Sequence, residues 1–271
     1  MNIRKIFSGP TPFMKEFRRL EQQEQRLLQK KLKKKETKLD QLLADKVPEK
    51  LQQTLQAAFE KAFGLVFEKG TGVIEKTYRR EEMEKNYQIR EFAASVKQDK
   101  KTLRAFSKQA GQSGTLNQAL SAAAGIGMGL VGVGLPDIPL LTGWILKSVY
   151  EIALSYGFDY DCEGEKYYIL LLIRGAVSGG EQIGQVEEAI DAYRNTGLLP
   201  ADYNQNEQVK KTADVLSANL LYMKFLQGIP VVGAVGGAYD AVLVHQVSEY
   251  AELKYRRRFY EQLKAKEKRH D

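Results

Sequence analysis

The feature that most constrains the fold of this chain is a run of 28 residues, 109–136, without one charged side chain. A helix of that length, at about 1.5 Å per residue, would cross the roughly 30 Å apolar core of a bilayer. Its second half is crowded with glycine, which costs a helix interior about 1 kcal/mol relative to alanine. The run therefore favours close helix packing inside a domain. Insertion into lipid and a wall for a hydrophobic ligand stay open as alternatives.

A second glycine-rich apolar piece, residues 228–240, lies near the other end of the chain and leads into a long helix. Glycine is kept in helices mainly where another backbone must come close. We therefore expect both pieces to be tightly packed helix starts that meet in the core. The predicted contact glycines are Gly125, Gly129, Gly132, Gly134, Gly233, Gly236 and Gly237.

The remaining sequence carries helical signals and no convincing strand signal. Apolar residues recur every fourth position from Leu51 to Phe67, which predicts a core-facing helix stripe. Asn-Gly and Asp-Gly turns and sustained period-two alternation are absent from the sequence. The chain is therefore predicted to be all-α, with one multi-helix domain over residues 48–271. Residues 1–47 are predicted to be a long basic amphipathic helix that precedes it.

Positive charge is concentrated at the two ends of the chain. Residues 1–50 hold 14 basic and 7 acidic residues, a surplus of seven that equals the net charge of +7 of the whole chain. Basic ends bind nucleic acid, an anionic membrane or an acidic partner, but aromatic residues that would read bases are scarce among these, which disfavours nucleic acid. The predicted membrane or partner contacts are Lys30, Lys31, Lys33, Lys34, Lys35, Arg256, Arg257 and Arg258.

A few polar residues interrupt the apolar segments and form the candidate polar site. Lys147 and Glu151 stand four residues apart on an otherwise apolar helix, the spacing of a same-face pair. Asp137 is placed to cap that helix, and Asp240 closes the second glycine-rich piece. A buried, mutually satisfied pair is the favoured interpretation of Lys147 and Glu151, with an enzyme that uses these acids as the alternative.

Catalytic and metal-binding motifs are missing from the sequence. The two histidines, His245 and His270, belong to no HExxH motif, and no GxSxG elbow is present. We therefore assign no catalytic residues, no metal and no cofactor. The single cysteine, Cys162, points to a reducing compartment, and the start of the chain lacks the apolar region of a secretory signal. The expected localisation is cytoplasmic, and peripheral attachment to the inner face of the cell membrane is left open.

Two blocks of the chain resemble the EcsC family. They are residues 132–173, with the turn Leu-Pro-Asp-Ile-Pro and a later Tyr-Gly before an acidic helix start, and residues 229–259. Asp240 departs from the asparagine expected in many relatives. The resemblance implies a bacterial accessory protein associated with an ABC transporter, and it supplies no catalytic residues.

The leading functional hypothesis is thus a non-enzymatic accessory protein at the cytoplasmic membrane face, in contact with ABC transporter subunits or lipid. The alternatives are a helical domain that binds a hydrophobic ligand or lipid in a core pocket, and an enzyme of unknown class. The sequence leaves the oligomeric state open.

Overall fold

The computed structural model describes residues 11–33, 48–69, 79–96, 100–111, 138–226 and 236–270. These residues form nine α-helices and contain no strand, which confirms the predicted all-α fold. In chain order the helices are α1 (Pro12–Leu32), α2 (Glu49–Lys69), α3 (Arg80–Val96), α4 (Lys100–Gly111), α5 (Ile138–Ser155), α6 (Glu163–Val177), α7 (Gly180–Thr196), α8 (Gln205–Leu226) and α9 (Gly236–His270).

Helices α5 and α6 form the centre because their sequences are apolar nearly all round, which is typical of a helix enclosed by others. Helix α9 packs against both, and α8 packs against α6 and α2. The predicted stripe of α2 faces inward, with Leu55, Phe59, Phe63 and Phe67 all buried. These contacts bring helices distant in sequence into one hydrophobic core.

Helices α5 and α9 run in the same direction. The Ser248 hydroxyl donates to Ser148 Oγ at 2.9 Å, and farther along the rings of Tyr156 and Phe259 lie 6.0 Å apart. Both helices therefore begin at one end of the bundle, and each follows a glycine-rich piece of the sequence. Residues 112–137 and 227–235 are outside the described residues, so the predicted contact between these pieces stays a prediction.

Helix α1 is packed against the rest of the protein. Its N-cap Thr11 accepts a hydrogen bond from the backbone N–H of Met14 at 3.2 Å, and a proline occupies the first turn. Phe13, Phe17 and Leu20 are buried, and the Phe13 ring lies 5.7 Å from that of Tyr260 on α9. Helix α1 thus shares the core of α4, α7 and α9. The division at residue 47 into two domains stays a prediction.

Candidate functional site

The outward side of α1 is a cationic surface. Six basic side chains are exposed along it, whereas the acidic residues of α1 are all partly buried. Their positions follow the three- and four-residue spacing of a single helix face, with glutamines between them. We call this surface the α1 outer face, and its basic residues are Lys15, Arg18, Arg19, Arg26, Lys30 and Lys33.

The acids of α1 all lie toward the protein. Glu16 contacts Arg104 of α4 at 3.0 Å, and Glu21 contacts Arg257 of α9 at 3.3 Å. Glu24 lies deeper, with Lys254 at 2.5 Å. Charge on this one helix is therefore sorted by side: its acids pair with the rest of the protein, and its basic residues other than Lys31 lie outside.

Lys254 is the centre of a buried ionic cluster between α1, α7 and α9. Its side chain is 1% exposed, and its Nζ donates to Glu24 Oε1 and Glu187 Oε2, each at 2.5 Å. Tyr250 donates its hydroxyl to the other oxygen of Glu187, and Arg257 donates to Glu24 Oε2 at 2.9 Å. Burial raises the pKa of Glu24, but Lys254 and the neighbouring arginines outweigh it, so the pKa of Glu24 is lowered.

A second buried charge pair joins α9 to α6. Arg258 contacts Glu165 at 2.7 Å, and the hydroxyl of Tyr255 donates to the same carboxylate at 2.6 Å. The guanidinium carbon lies 4.0 Å from the ring centre of Phe158 and 4.3 Å from that of Tyr168. Burial lowers the pKa of Arg258, but Glu165 acts in the opposite direction and the net pKa is raised. Carboxylate and aromatic faces together hold this arginine charged inside the fold.

The predicted basic contacts therefore divide into two groups. Lys30 and Lys33 are exposed on the α1 outer face, while Lys34 and Lys35 lie outside the described residues. Lys31 points inward, where its Nζ donates to the carbonyl oxygens of Ala176 at 2.5 Å and Ser178 at 3.3 Å, at the C-terminus of α6.

The three arginines of α9 that the sequence predicts as contacts, Arg256, Arg257 and Arg258, also turn toward neighbouring helices. Arg257 and Arg258 form the ion pairs described above, and Arg256 donates to Gln23 of α1 at 2.9 Å. Their side chains are between 14% and 19% exposed. This placement favours a role in helix packing for Arg257 and Arg258 over the surface contact that the sequence predicts.

The candidate polar site is only partly assembled. Glu151 is buried on α5, and one of its carboxylate oxygens has no hydrogen-bond partner among the residues that the structure describes. Half-buried Lys147 stands one turn earlier. Burial raises the pKa of Glu151 to about 7, although Lys147 acts to lower it. Asp240 is buried in the first turns of α9, and Asp137 lies outside the described residues.

Glu151 and Asp240 do not lie at the same height in the bundle. Because Ser148 and Ser248 are level, Asp240 is eight residues before that level and Glu151 is three residues after it. At 1.5 Å per residue the two carboxylates are about 16 Å apart along the helices. Acid–base catalysis by this pair would need both within reach of one substrate bond, so this geometry gives the pair no support as a catalytic dyad.

The contact glycines fall mostly on segments outside the described residues, namely Gly125, Gly129, Gly132, Gly134 and Gly233. Gly236 and Gly237 open α9. A core pocket between the two glycine-rich pieces therefore stays a prediction. Among the described residues no three His, Cys, Asp or Glu side chains cluster around a possible metal position. No described helix has the length and apolar character of a membrane span.

Sequence reasoning missed three buried ionic groups, Lys254, Glu187 and Glu165. Each stands on a helix that also carries exposed charges, so composition alone does not single it out. A signal was present for Arg258 and Lys254, because Tyr250, Tyr255 and Phe259 flank them at helical spacing and mark the inward side of α9.

Comparison with known proteins identifies the family. The profile described as the EcsC protein family matches residues 13–259, a range that includes most of α1. Protein EcsC of Bacillus subtilis (strain 168) is 29% identical over 138 residues, which cover 49% of this chain and 55% of that protein. The chain thus aligns with about half the length of this curated relative. No solved structure matches the chain. Because the profile spans nearly all of the helical domain, this chain belongs to the EcsC protein family.

Proposed function

We propose that this protein is a non-enzymatic accessory protein that attaches peripherally to the anionic inner surface of a membrane through the α1 outer face. The observation that carries the proposal is the row of six exposed basic residues with no exposed acid among them on that helix. The cytoplasmic leaflet carries anionic lipids, and each nearby Lys or Arg adds about 1 kcal/mol of attraction.

The expected attachment is electrostatic and leaves α1 folded on the domain. An interfacial amphipathic helix normally buries its apolar side in lipid, but the apolar side of α1 already packs in the protein core through Phe13, Phe17 and Leu20. The side that faces outward carries Gln22, Gln25 and Gln29 between the basic residues. Attachment of this kind weakens as salt rises, because the Debye length is about 10 Å at 0.1 M and about 3 Å at 1 M.

The test is co-sedimentation of the full chain with vesicles of phosphatidylcholine that do or do not contain phosphatidylglycerol, at low and at high salt. The perturbed protein carries Lys15→Gln, Arg18→Gln, Arg26→Gln and Lys30→Gln. These four exposed side chains form no ion pair or side-chain hydrogen bond with other described residues, so the fold is expected to persist. Loss of four charges is expected to weaken binding to anionic vesicles by about tenfold or more.

A matched control removes the same charge elsewhere, through Lys50→Gln, Lys61→Gln, Lys85→Gln and Lys210→Gln on α2, α3 and α8, all exposed. This control is expected to retain most of the binding of the unmodified protein. Equal loss in both variants would mean that net charge alone drives sedimentation. Either that result or no binding of the unmodified protein at low salt contradicts the proposal.

Association with ABC transporter subunits, which the family resemblance implies, is the finer part of the proposal. Attachment through α1 would bring the protein to the membrane surface where such subunits lie. A photo-crosslinker at Gln29, an exposed position of the α1 outer face, tests it in host membranes. Transporter subunits among the crosslinked products support the association, and lipid alone opposes it.

A further inference from the structure

A cleft of about 360 Å³ opens between α1, α4 and α9. Its inner part is formed by Leu20, Ser107 and Tyr260, which are all buried. The hydroxyl oxygens of Ser107 and Tyr260 lie 3.3 Å apart. The cleft thus has a hydroxyl pair among its lining groups, and charged side chains from three helices surround it.

The lining of the cleft is more positive than negative. Four basic side chains face two acidic ones, a surplus of two positive charges, and these are Arg19, Arg104, Lys108 and Arg256 against Glu16 and Glu252. Burial raises the pKa of Glu252, and Glu249 adds to this while Arg256 opposes it.

Two of the four cations are uncommitted. Arg104 contacts Glu16 at 3.0 Å, so this pair is largely neutralised. Arg19 and Lys108 are exposed, and neither forms an ion pair or side-chain hydrogen bond with another residue that the structure describes. They come from different helices, α1 and α4, and line the same cleft. An anion between them would thus be met by positive charge from two sides.

Arg256 is incompletely satisfied within the cleft. It donates one hydrogen bond to Gln23 at 2.9 Å and stands 3.8 Å from Glu252, a distance too long for a hydrogen bond. Its buried Nε has no acceptor among the described groups. Buried donors without acceptors are rare in native proteins and often mark a missing water or ion.

We propose that this cleft binds a phosphate group, either free phosphate or a phosphomonoester, between Arg19, Lys108 and Arg256. Guanidinium groups match phosphate oxygens in planar two-point contacts, and a lysine ammonium adds a point charge. The surplus of two positive charges in the lining matches in magnitude the charge of about −2 that a phosphomonoester carries above its second ionisation near pH 6. The site shares Arg19 with the α1 outer face but does not require membrane attachment.

Isothermal titration calorimetry of the full chain with inorganic phosphate and with glycerol 3-phosphate tests the site. The unmodified protein is expected to bind one equivalent. The double variant Arg19→Gln, Lys108→Gln is expected to bind about tenfold more weakly or worse, since it removes the two free cations. The matched control is Lys50→Gln, Lys61→Gln on α2, which removes the same charge outside both the cleft and the α1 outer face and is expected to bind normally.

Vesicles separate the two sources of phosphate. Phosphatidic acid has a phosphomonoester headgroup, whereas phosphatidylglycerol has a phosphodiester. If the cleft binds a lipid headgroup, the unmodified protein should prefer vesicles with phosphatidic acid, and the Arg19→Gln, Lys108→Gln variant should lose this preference. If only the binding of soluble phosphate is lost, the ligand is a free phosphate compound. Absence of binding by both soluble ligands, or equal loss in the control, overturns the site. The fourfold α1 variant keeps Arg19 and is expected to bind soluble phosphate, so failure of membrane attachment is distinguished from failure of the site.

Discussion

Replacement of Lys254 by methionine is expected to destabilise the protein strongly. The substitution keeps a long unbranched side chain in a site that is 1% exposed, but removes the cation that contacts both Glu24 and Glu187. Removing one member of a buried charge pair costs about 3–5 kcal/mol, because the partner is left buried and uncompensated. That is a large part of the roughly 5–15 kcal/mol free energy of unfolding of a typical domain.

The loss of Lys254 is not expected to leave the two carboxylates equally uncompensated. Glu24 keeps Arg257 at 2.9 Å, whereas Glu187 keeps only the hydroxyl of Tyr250 among the contacts described. A second substitution Glu187→Gln in the Lys254→Met background is therefore expected to restore more stability than Glu24→Gln does. The difference identifies where the uncompensated charge lies.

Urea denaturation followed by circular dichroism measures both effects. An exposed lysine of α8, Lys210, supplies the control Lys210→Met, which is expected to change the free energy of unfolding by about 0.5 kcal/mol or less. The reasoning is refuted if Lys254→Met costs no more than this control. Equal rescue by the two second-site substitutions would refute the assignment of the unpaired charge to Glu187.

Two further substitutions test the interior of the bundle. Burial raises the pKa of Glu151 to about 7, above its usual 4.5, so the folded state holds this proton more tightly than the unfolded state. The free energy of unfolding therefore falls by up to about 3 kcal/mol as the pH rises between these two values. The Glu151→Gln variant should therefore have the same free energy of unfolding as the unmodified protein near pH 4.5 and a larger one above pH 7, as measured by urea denaturation. Parallel pH profiles of the two proteins would contradict this. Gly175→Ala would place a Cβ 2.5 Å from the buried Tyr250 hydroxyl, so a loss of about 1–3 kcal/mol is expected in thermal unfolding. Gly184→Ala has open space around the new Cβ and is expected to stabilise the protein instead. A similar effect of Gly175→Ala and Gly184→Ala on thermal unfolding would argue against the close approach of Gly175 to Tyr250.

Helix positions and core stripes could be predicted from the sequence because they depend on local periodicity. The stripe of α2 and the all-round apolar sequence of α5 needed no knowledge of their partners, and both are buried. The aromatic start of α1 is another local signal, since Phe13, Phe17 and Leu20 lie on one side of a helix.

Charge pairing could not be predicted in the same way. Glu24 and Lys254 are 230 positions apart, and nothing near either residue specifies the other. The basic end of the sequence predicts Arg256–Arg258 as membrane or partner contacts. Successive helix residues are about 100° apart, however, so three in a row cover some 200° of the helix. Such a run on a packed helix places at least one side chain against a neighbour, and here all three arginines contact a neighbouring helix.

The inward pairs also set which side of α1 faces outward. Its three acids each meet a cation on α4 or α9, and Lys31 meets the end of α6. Turning α1 by one residue, about 100°, would break these contacts and move basic side chains toward the core. Hydrophobic burial alone tolerates some rotation, since it is non-directional, whereas hydrogen-bonded ion pairs fix an angle. The cationic surface proposed to meet the membrane therefore follows from the buried pairs that hold the helix in place.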